Sequence, residues 1–198
     1  MSLDYEIQLD ARAAPASRTT SPALAAAQRS AHADRGKWAE GRVAKFLAQW
    51  AAESPSVREV SRVLDSRAAN RVVRAGIADF EVFCLDHGGR GTYVAIECKS
   101  TNHLYRLPHA NVPQLARMLK RTHCGGVGIV VVYHATLGAW RAAHVGDLAN
   151  ERQGASWDLS SLISHDTVGQ ALAAALPDVF GAQSSVDIYA SIEQRGAH

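Results

Sequence analysis

Two stretches of alternating residues, separated by a glycine-rich segment, most constrain what this chain can fold into. The first reads ADFEVFCLD and the second TYVAIECKS, and the segment HGGRG between them has the composition of a turn. Successive side chains of a β-strand point to opposite faces of a sheet, so each stretch predicts a strand with one apolar face. The order strand, turn, strand predicts a β-hairpin.

The register of this hairpin decides which side chains share a face. A loop of about five residues places Asp79 opposite or nearly opposite Glu97. One face then collects Asp79, Glu81, Glu97 and Lys99, and a slip of one residue would destroy both faces. The opposite face is apolar and holds Phe80, Val82, Cys84, Val94, Ile96 and Cys98.

The clustered carboxylates indicate a divalent metal site. Asp79 and Glu97 repel each other at short distance unless a cation neutralises them, and Mg²⁺ prefers carboxylate oxygens, water and substrate phosphate. Phosphodiester hydrolysis needs such an ion to generate hydroxide and to stabilise the transition state. Lys99 is expected to orient or help deprotonate the attacking water. The main-chain carbonyl of Cys98 lies between the two side chains and is a further candidate ligand.

A surface hairpin with solvated charges explains the same residues about equally well at this point. Exposed strands often carry Glu and Lys, so the pattern E-x-K is weakly specific. Glu81 shares the face of Asp79, but we assign it to solvent. The hydroxyls of Ser100 and Thr101 are candidate contacts to a DNA phosphate, although many strands end in such residues.

The remaining chain predicts an α/β fold with a mixed central sheet flanked by helices. Residues 1–20 are expected to form a flexible arm, 21–150 the core, and 151–198 an extension of the same domain that is partly flexible at its end. One helix spans ADRGKWAEGRVAKFLAQWA, with Trp38 and Trp50 assigned to the core. A second runs roughly from residue 113 to 123. The run GGVGIVVVYH predicts a buried central strand and AWRAAHV a further one, whereas the residues from 57 to 76 are ambiguous between helix and strand.

Composition limits the possible binding partners and the cellular compartment of this protein. The formal net charge of +2 excludes a global polycation, so a DNA-binding surface must be local. Arg35 and Lys37 belong to one basic cluster on the first helix, although such runs are commonly solvated helix faces. Three cysteines without a CxxC pattern favour reduced thiols in a cytoplasm over a disulfide framework or a zinc site. We expect no membrane span and no secretory signal.

The order of several motifs resembles one known family. The motifs are Arg35-Gly36 with Glu40 in DRGKWAE, Asp79 in GIADF, the run IECKST, Gln114 at the end of RLPHANVPQ, and GGVGIVVVY. Together they cover roughly residues 35 to 133. In this order they resemble the RecU-type Holliday junction resolvases, a branch of the PD-(D/E)xK nuclease superfamily.

This resemblance implies a fold, an activity and a set of partners. The fold would be restriction-endonuclease-like, and the protein a cytoplasmic homodimer in a bacterium or a phage-infected host. It would bind four-way DNA junctions and make paired nicks with Mg²⁺ or Mn²⁺. Asp79 and Glu97 would hold the metal, Lys99 would assist the water, and Glu40 would complete the acidic site. Gln114 would support the site or contact the DNA backbone.

The sequence also departs from the family pattern. Asp34 stands where the family usually has Asn, Gly76-Ile77-Ala78 replaces a Ser/Thr-rich approach to the Asp, and Pro113 replaces a His. The segment before Asp79 is short for the stalk that the family inserts into junctions. Two other hypotheses stay open: another PD-(D/E)xK nuclease that cleaves duplex or flap DNA, and a catalytically inactive DNA-binding module.

Overall fold

A five-stranded sheet with helices on both faces organises the chain. The computed structural model describes residues 22–54, 57–63, 76–86, 89–151 and 154–181. The predicted arm, residues 1–20, and the chain after residue 181 lie outside them. The strands are β1 (Val57–Arg62), β2 (Phe80–Leu85), β3 (Gly91–Thr101), β4 (Arg106–Pro108), β5 (Val127–His134), β6 (Ala139–His144) and β7 (Ser156–Asp158). The helices are α1 (Pro22–Glu53), α2 (Leu115–His123), α3 (Val145–Asn150) and α4 (Val168–Ala175).

The strand order puts the second strand of the predicted hairpin at the centre of the sheet. The order is β1-β2-β3-β5-β6, in which β3 and β5 are parallel and the other neighbours antiparallel. Strands β4 and β7 form a separate antiparallel pair. The crossover from β3 to β5 contains α2. The predicted α/β class, with a mixed sheet flanked by helices, is confirmed.

The register of β2 and β3 is the one that the alternation predicts. Phe80 pairs with Ile96 and Val82 with Val94, so the next position of the register sets Asp79 opposite Glu97. The six apolar side chains of the predicted inner face are each at most 4 % exposed. Burying that whole face explains why this register is fixed, because a shift by one residue would expose it.

The two faces of the sheet are covered by different helices. Helices α1 and α4 pack on the apolar face of the hairpin. The opposite face carries α2 and α3, whose side chains Leu115, Met118 and Leu148 pack with Ala95 and Val130. Glu97 stands two residues after Ala95 on β3, so its side chain points to the same face of the sheet, the one that α2 covers.

The tryptophans of α1 have different surroundings. Trp50 is 1 % exposed, so its assignment to the core is confirmed. Trp38 is 48 % exposed, so its assignment to the core is wrong. Ala39 is the first buried residue among the described side chains of α1, and one residue along a helix is a rotation of about 100°. That rotation leaves Trp38 at the margin of the buried stripe, where its ring contacts Tyr133.

The structure describes part of the segment 57–76, which the sequence leaves ambiguous, and part of the chain beyond residue 150. Residues 57–62 form the edge strand β1, and residues 64–75 lie outside the described part. Beyond residue 150, α4 and the following turn pack on the same core as α1, with Phe180 against Trp50. Among the described helices, none has both the length and the low polarity that crossing a membrane requires.

Candidate active site

Asp79 lies immediately before β2 and is tied to the neighbouring strand. Its Oδ2 accepts a hydrogen bond of 2.8 Å from the main-chain N–H of Cys98. The N–H and C=O of one strand residue point to the same side, so the Cys98 carbonyl is directed towards Asp79 as well. The thiol of Cys98 points the other way, into the core under α1.

Glu97 is a fully buried carboxylate in the middle of the sheet. Its side chain is 0 % exposed; Oε1 lies against the Lys99 ammonium, and Oε2 has no hydrogen-bond donor among the described residues. The pKa of Glu97 is raised to about 7, chiefly by burial, with a smaller contribution from the Asp79 charge and against the opposing effect of Lys99. A buried carboxylate with one unsatisfied oxygen is costly, which marks this position as a candidate functional site.

Lys99 supplies a positive charge beside Glu97. Its Nζ lies 2.5 Å from Oε1 of Glu97, an ion pair that lacks the directionality of a hydrogen bond. Burial by itself lowers the pKa of Lys99, but the carboxylates of Glu97 and Asp79 outweigh it and the pKa is raised. The side chain is 21 % exposed, so the ammonium reaches the surface while Glu97 does not.

Glu40 stands at the same end of the sheet but on the side of α1. Its Oε2 lies 3.1 Å from the Nη2 of Arg62 on β1, and this ion pair was not anticipated from the sequence. The Glu40 charge still contributes to raising the pKa of Glu97, so the two carboxylates are within electrostatic reach. A site role for Glu40 stays a prediction.

The donor set fits a divalent cation in part. No three His, Cys, Asp or Glu side chains in the described ranges are grouped closely enough to hold a metal ion by themselves. The carboxylates of Glu97 and Asp79 and the Cys98 carbonyl are nevertheless the kinds of oxygen ligand that Mg²⁺ and Mn²⁺ take, with water completing the shell.

The predicted DNA-contacting residues have unequal access. Lys37 is exposed and Arg35 and Ser100 are half-buried. Thr101 is 5 % exposed, and its hydroxyl accepts from the His103 N–H. Its burial argues against a phosphate contact, because the hydroxyl is already used inside the loop after β3.

Gln114 occupies the position before α2 without capping it. Its side chain makes no cap hydrogen bond to the helix, and its Oε1 is buried with no donor among the described residues. Helix α2, which Gln114 precedes, packs on the face of the sheet that Glu97 also faces. A supporting role for Gln114 stays a prediction, and the bare oxygen is compatible with it.

Comparisons with known proteins give structural likenesses but no family. No family model matches the sequence, and no curated protein matches it. Among solved structures, the chain is similar to Hjc, a Holliday junction resolvase from the archaeal hyperthermophile Archaeoglobus fulgidus. The TM-score is 0.41 at 22% identity, over 71% of this chain and 97% of that chain. A likeness of this size assigns neither a family nor an activity, and the RecU-type resemblance stays a prediction.

Proposed function

We propose that this protein is a metal-dependent endonuclease that acts on branched DNA, with four-way junctions as its substrate. The observation that carries the proposal is the Glu97 carboxylate, buried beside Asp79 with Oε1 on the Lys99 ammonium and Oε2 without a donor among the described residues. The pKa of Glu97 is raised to about 7 despite Lys99, so its charged form still costs folding free energy that a bound divalent cation would offset. The alternative, a surface hairpin with solvated charges, does not fit the Glu97 side chain, which is 0 % exposed.

Asp79, Glu97 and the carbonyl of Cys98 would hold Mg²⁺ or Mn²⁺. When bound, the ion would lower the pKa of an attacking water and neutralise negative charge on the phosphate. The hydrogen bond from the Cys98 N–H fixes one oxygen of Asp79, which leaves the other for a ligand. Since Glu97 has a pKa of about 7, loss of its proton and metal binding are coupled near neutral pH.

Lys99 acts on the phosphate and the water through its charge. Its raised pKa keeps the ammonium protonated, which favours orientation of the water and stabilisation of developing negative charge over proton abstraction. The ammonium is partly exposed at the entrance to Glu97, where a phosphodiester would arrive. Loss of its charge would remove both effects.

Affinity for DNA would come from phosphate contacts rather than from base reading. Lys37 on α1 and the basic residues Lys120 and Arg121 of α2 are exposed. Contacts of this type position a nucleic acid backbone and carry no sequence information. Arg35, Ser100 and Gln114 would contribute at the margin of the site.

Paired nicking requires two active sites, so we propose a homodimer. The three cysteines are unpaired, and we propose that the protein acts in the reducing cytoplasm of a bacterium or of a phage-infected host. Neither proposal depends on the geometry of the site, and each is tested separately, by sedimentation and by fractionation.

A nicking assay on a synthetic four-way junction tests the proposed function. One strand at a time is end-labelled, and cleavage is followed with Mg²⁺ or with a chelator, beside a linear duplex of the same sequence. The variants are Glu97→Gln and, as the matched control, Glu81→Gln. Glu81 lies on the same hairpin face, but its carboxylate accepts from the Tyr93 hydroxyl at 2.9 Å.

The expected result is Mg²⁺-dependent nicking of the junction that Glu97→Gln loses and Glu81→Gln retains. Removal of a metal ligand of this type is expected to lower the rate by about a hundredfold or more. Equal cleavage of the linear duplex would favour a nuclease for duplex or flap DNA. Junction binding without cleavage by the wild type would favour an inactive DNA-binding module and contradict the proposal.

A further inference from the structure

Trp38 is an exposed aromatic side chain in a rigid setting. Of the four tryptophans, all within the described residues, Trp38 is 48 % exposed and the other three are at most 3 % exposed. Its ring lies 4.6 Å from that of Tyr133 and stacks near-parallel with Trp140 at 6.1 Å and 21°. Tyr133 and Trp140 therefore support the indole from the core side while the remainder faces solvent.

The surroundings of Trp38 are open and basic. The Arg42 guanidinium lies 5.8 Å from the centre of the Trp38 ring. Gly41, three residues after Trp38 on the same helix surface, has no atom within 4 Å of the place where a Cβ would stand. Lys37 and Lys45 are also exposed on this helix. The charge suits a phosphate backbone, and the gap at Gly41 gives a flat ligand access to the ring.

Trp38 lies on the face of the sheet opposite to Glu97, but near the same end of the sheet as the candidate active site. Tyr133 pairs with Ser100 in the β3–β5 register, and Ser100 directly follows Lys99. Neighbouring strands lie about 4.8 Å apart, so the supporting ring is one strand away from the end of the catalytic strand. Glu40, two residues after Trp38, is in electrostatic reach of Glu97.

We propose that the exposed part of Trp38 stacks on an unpaired base of bound DNA, with Arg42 and the nearby lysines holding the flanking phosphates. The inference rests on the proposed nuclease function for its choice of ligand, and it adds a base-stacking site on the α1 side of the sheet. Branched DNA offers bases released from stacking at the branch. An indole that is already held in place loses little freedom when a base stacks on it.

Intrinsic tryptophan fluorescence tests the stacking site, because the exposed indole is the one that a base can reach. Full-length protein in a chelator is titrated with oligothymidylate and with the abasic oligomer of equal length, which keeps the phosphates; the affinity of every protein is measured in parallel from the anisotropy of dye-labelled oligomer, since the variants lack Trp38 as a reporter. The variants are Trp38→Leu, which keeps apolar contact with Tyr133, and Trp38→Phe, which keeps an aromatic ring. Phe83→Leu is the control, since Phe83 is an exposed aromatic on the opposite face of the sheet.

The wild type is expected to be quenched by oligothymidylate and to bind it about fivefold to a hundredfold more tightly than the abasic oligomer. Trp38→Leu should bind both oligomers alike, Trp38→Phe should recover part of the difference, and Phe83→Leu should behave as wild type. Thermal unfolding of each variant confirms that it is folded. Equal affinity of wild type and Trp38→Leu for oligothymidylate, or no quenching, overturns the inference.

The result separates this inference from the proposed function. Base-dependent quenching in a protein that nicks no junction would support the stacking site and refute the nuclease. Nicking with unchanged affinity in Trp38→Leu would support the nuclease and refute the stacking site, leaving a protein partner as the occupant of the exposed ring.

Discussion

At the scale of the residue, function and stability conflict at Glu97. The alternation of the hairpin predicts that Glu97 and Asp79 share a face, because the side-chain period of a strand is two. The alternation does not predict that Glu97 is 0 % exposed. Its burial depends on the strand β5 beside it and on the helices that pack on that face. The proposed metal site therefore depends on non-local packing that no local pattern contains.

Removing the charge of Glu97 is expected to separate stability from metal binding. At pH 8, metal-free Glu97→Gln should be at least as stable as wild type, because the raised pKa of Glu97 means that its charged form costs folding free energy even beside Lys99, whereas a neutral amide does not carry this cost. At a Mg²⁺ concentration of about ten times Kd, the free energy of unfolding of the wild type should rise by about 1.4 kcal/mol and that of the variant should not. Urea unfolding measures both. A similar rise in both proteins would place the cation elsewhere.

His134 is a second buried residue whose effect on the free energy of unfolding depends on pH. It is 0 % exposed, and its Nδ1 lies 2.8 Å from the carbonyl oxygen of His103, so Nδ1 carries the proton of the neutral ring. The Nε2 is buried without a partner in the described part of the chain. Burial, together with the charge of Arg141, lowers the pKa of His134 below its usual value of 6.5, against the opposing effect of the His103 carbonyl.

The lowered pKa of His134 predicts a loss of stability on acidification. Below pH 6.5 the unfolded chain binds a proton that the folded chain does not, so the free energy of unfolding falls as pH falls. The contribution of one group is at most about 1.4 kcal/mol per pH unit. His134→Asn should flatten this part of the profile, measured by urea unfolding between pH 7 and pH 5. The exposed His123, changed to Asn, should not, and an equal effect of both would contradict the assignment.

At the scale of the element, the hairpin is predictable and the orientation of α1 is less so. The strands have two faces, and the six side chains of one face are all apolar and buried. Helix α1 is long, and Trp38 lies at the edge of its apolar stripe. Successive residues of a helix are rotated by about 100°, so the orientation of α1 on the sheet decides whether such an edge residue is buried or exposed. The same uncertainty applies to Glu40, which the structure pairs with Arg62 on a strand that the sequence leaves ambiguous.

Two glycine substitutions should have opposite effects on stability. A Cβ at Gly128 on β5 would lie 2.9 Å from Cγ2 of the buried Val145, so Gly128→Ala should destabilise the protein by about 1–3 kcal/mol. Gly41→Ala on α1 meets open space and should stabilise it by about 0.5–1 kcal/mol, since Gly is a poor residue inside a helix. Urea unfolding of the two variants gives the comparison. Equal signs would contradict the packing of α3 on β5.

At the scale of the whole molecule, the chain after residue 150 completes the core. Helix α4 and the turn that follows it pack on the surface that α1 also covers. The pairing of β4 with β7 joins segments that are far apart in the sequence. The sequence carries no local signal for these long-range contacts.

Phe180 offers a test of this packing. It is 1 % exposed, with ring centres 4.5 Å from Trp50 and 6.2 Å from Phe46, both on α1. Phe180→Ala should lower the free energy of unfolding by about 3–5 kcal/mol. Leu137→Ala, in the exposed turn between β5 and β6, should change it by less than about 0.5 kcal/mol. If Phe180→Ala were as stable as the wild type, the C-terminal part would not belong to the core.

Crystallographic location of Mn²⁺ by anomalous scattering is the most direct measurement of the proposed site. The account predicts one strong peak between the carboxylates of Asp79 and Glu97, within about 2.0–2.3 Å of an oxygen of each. It also predicts that the peak disappears in crystals of Glu97→Gln. Manganese bound elsewhere, or an empty site in the wild type at a concentration that supports DNA nicking, would contradict the account.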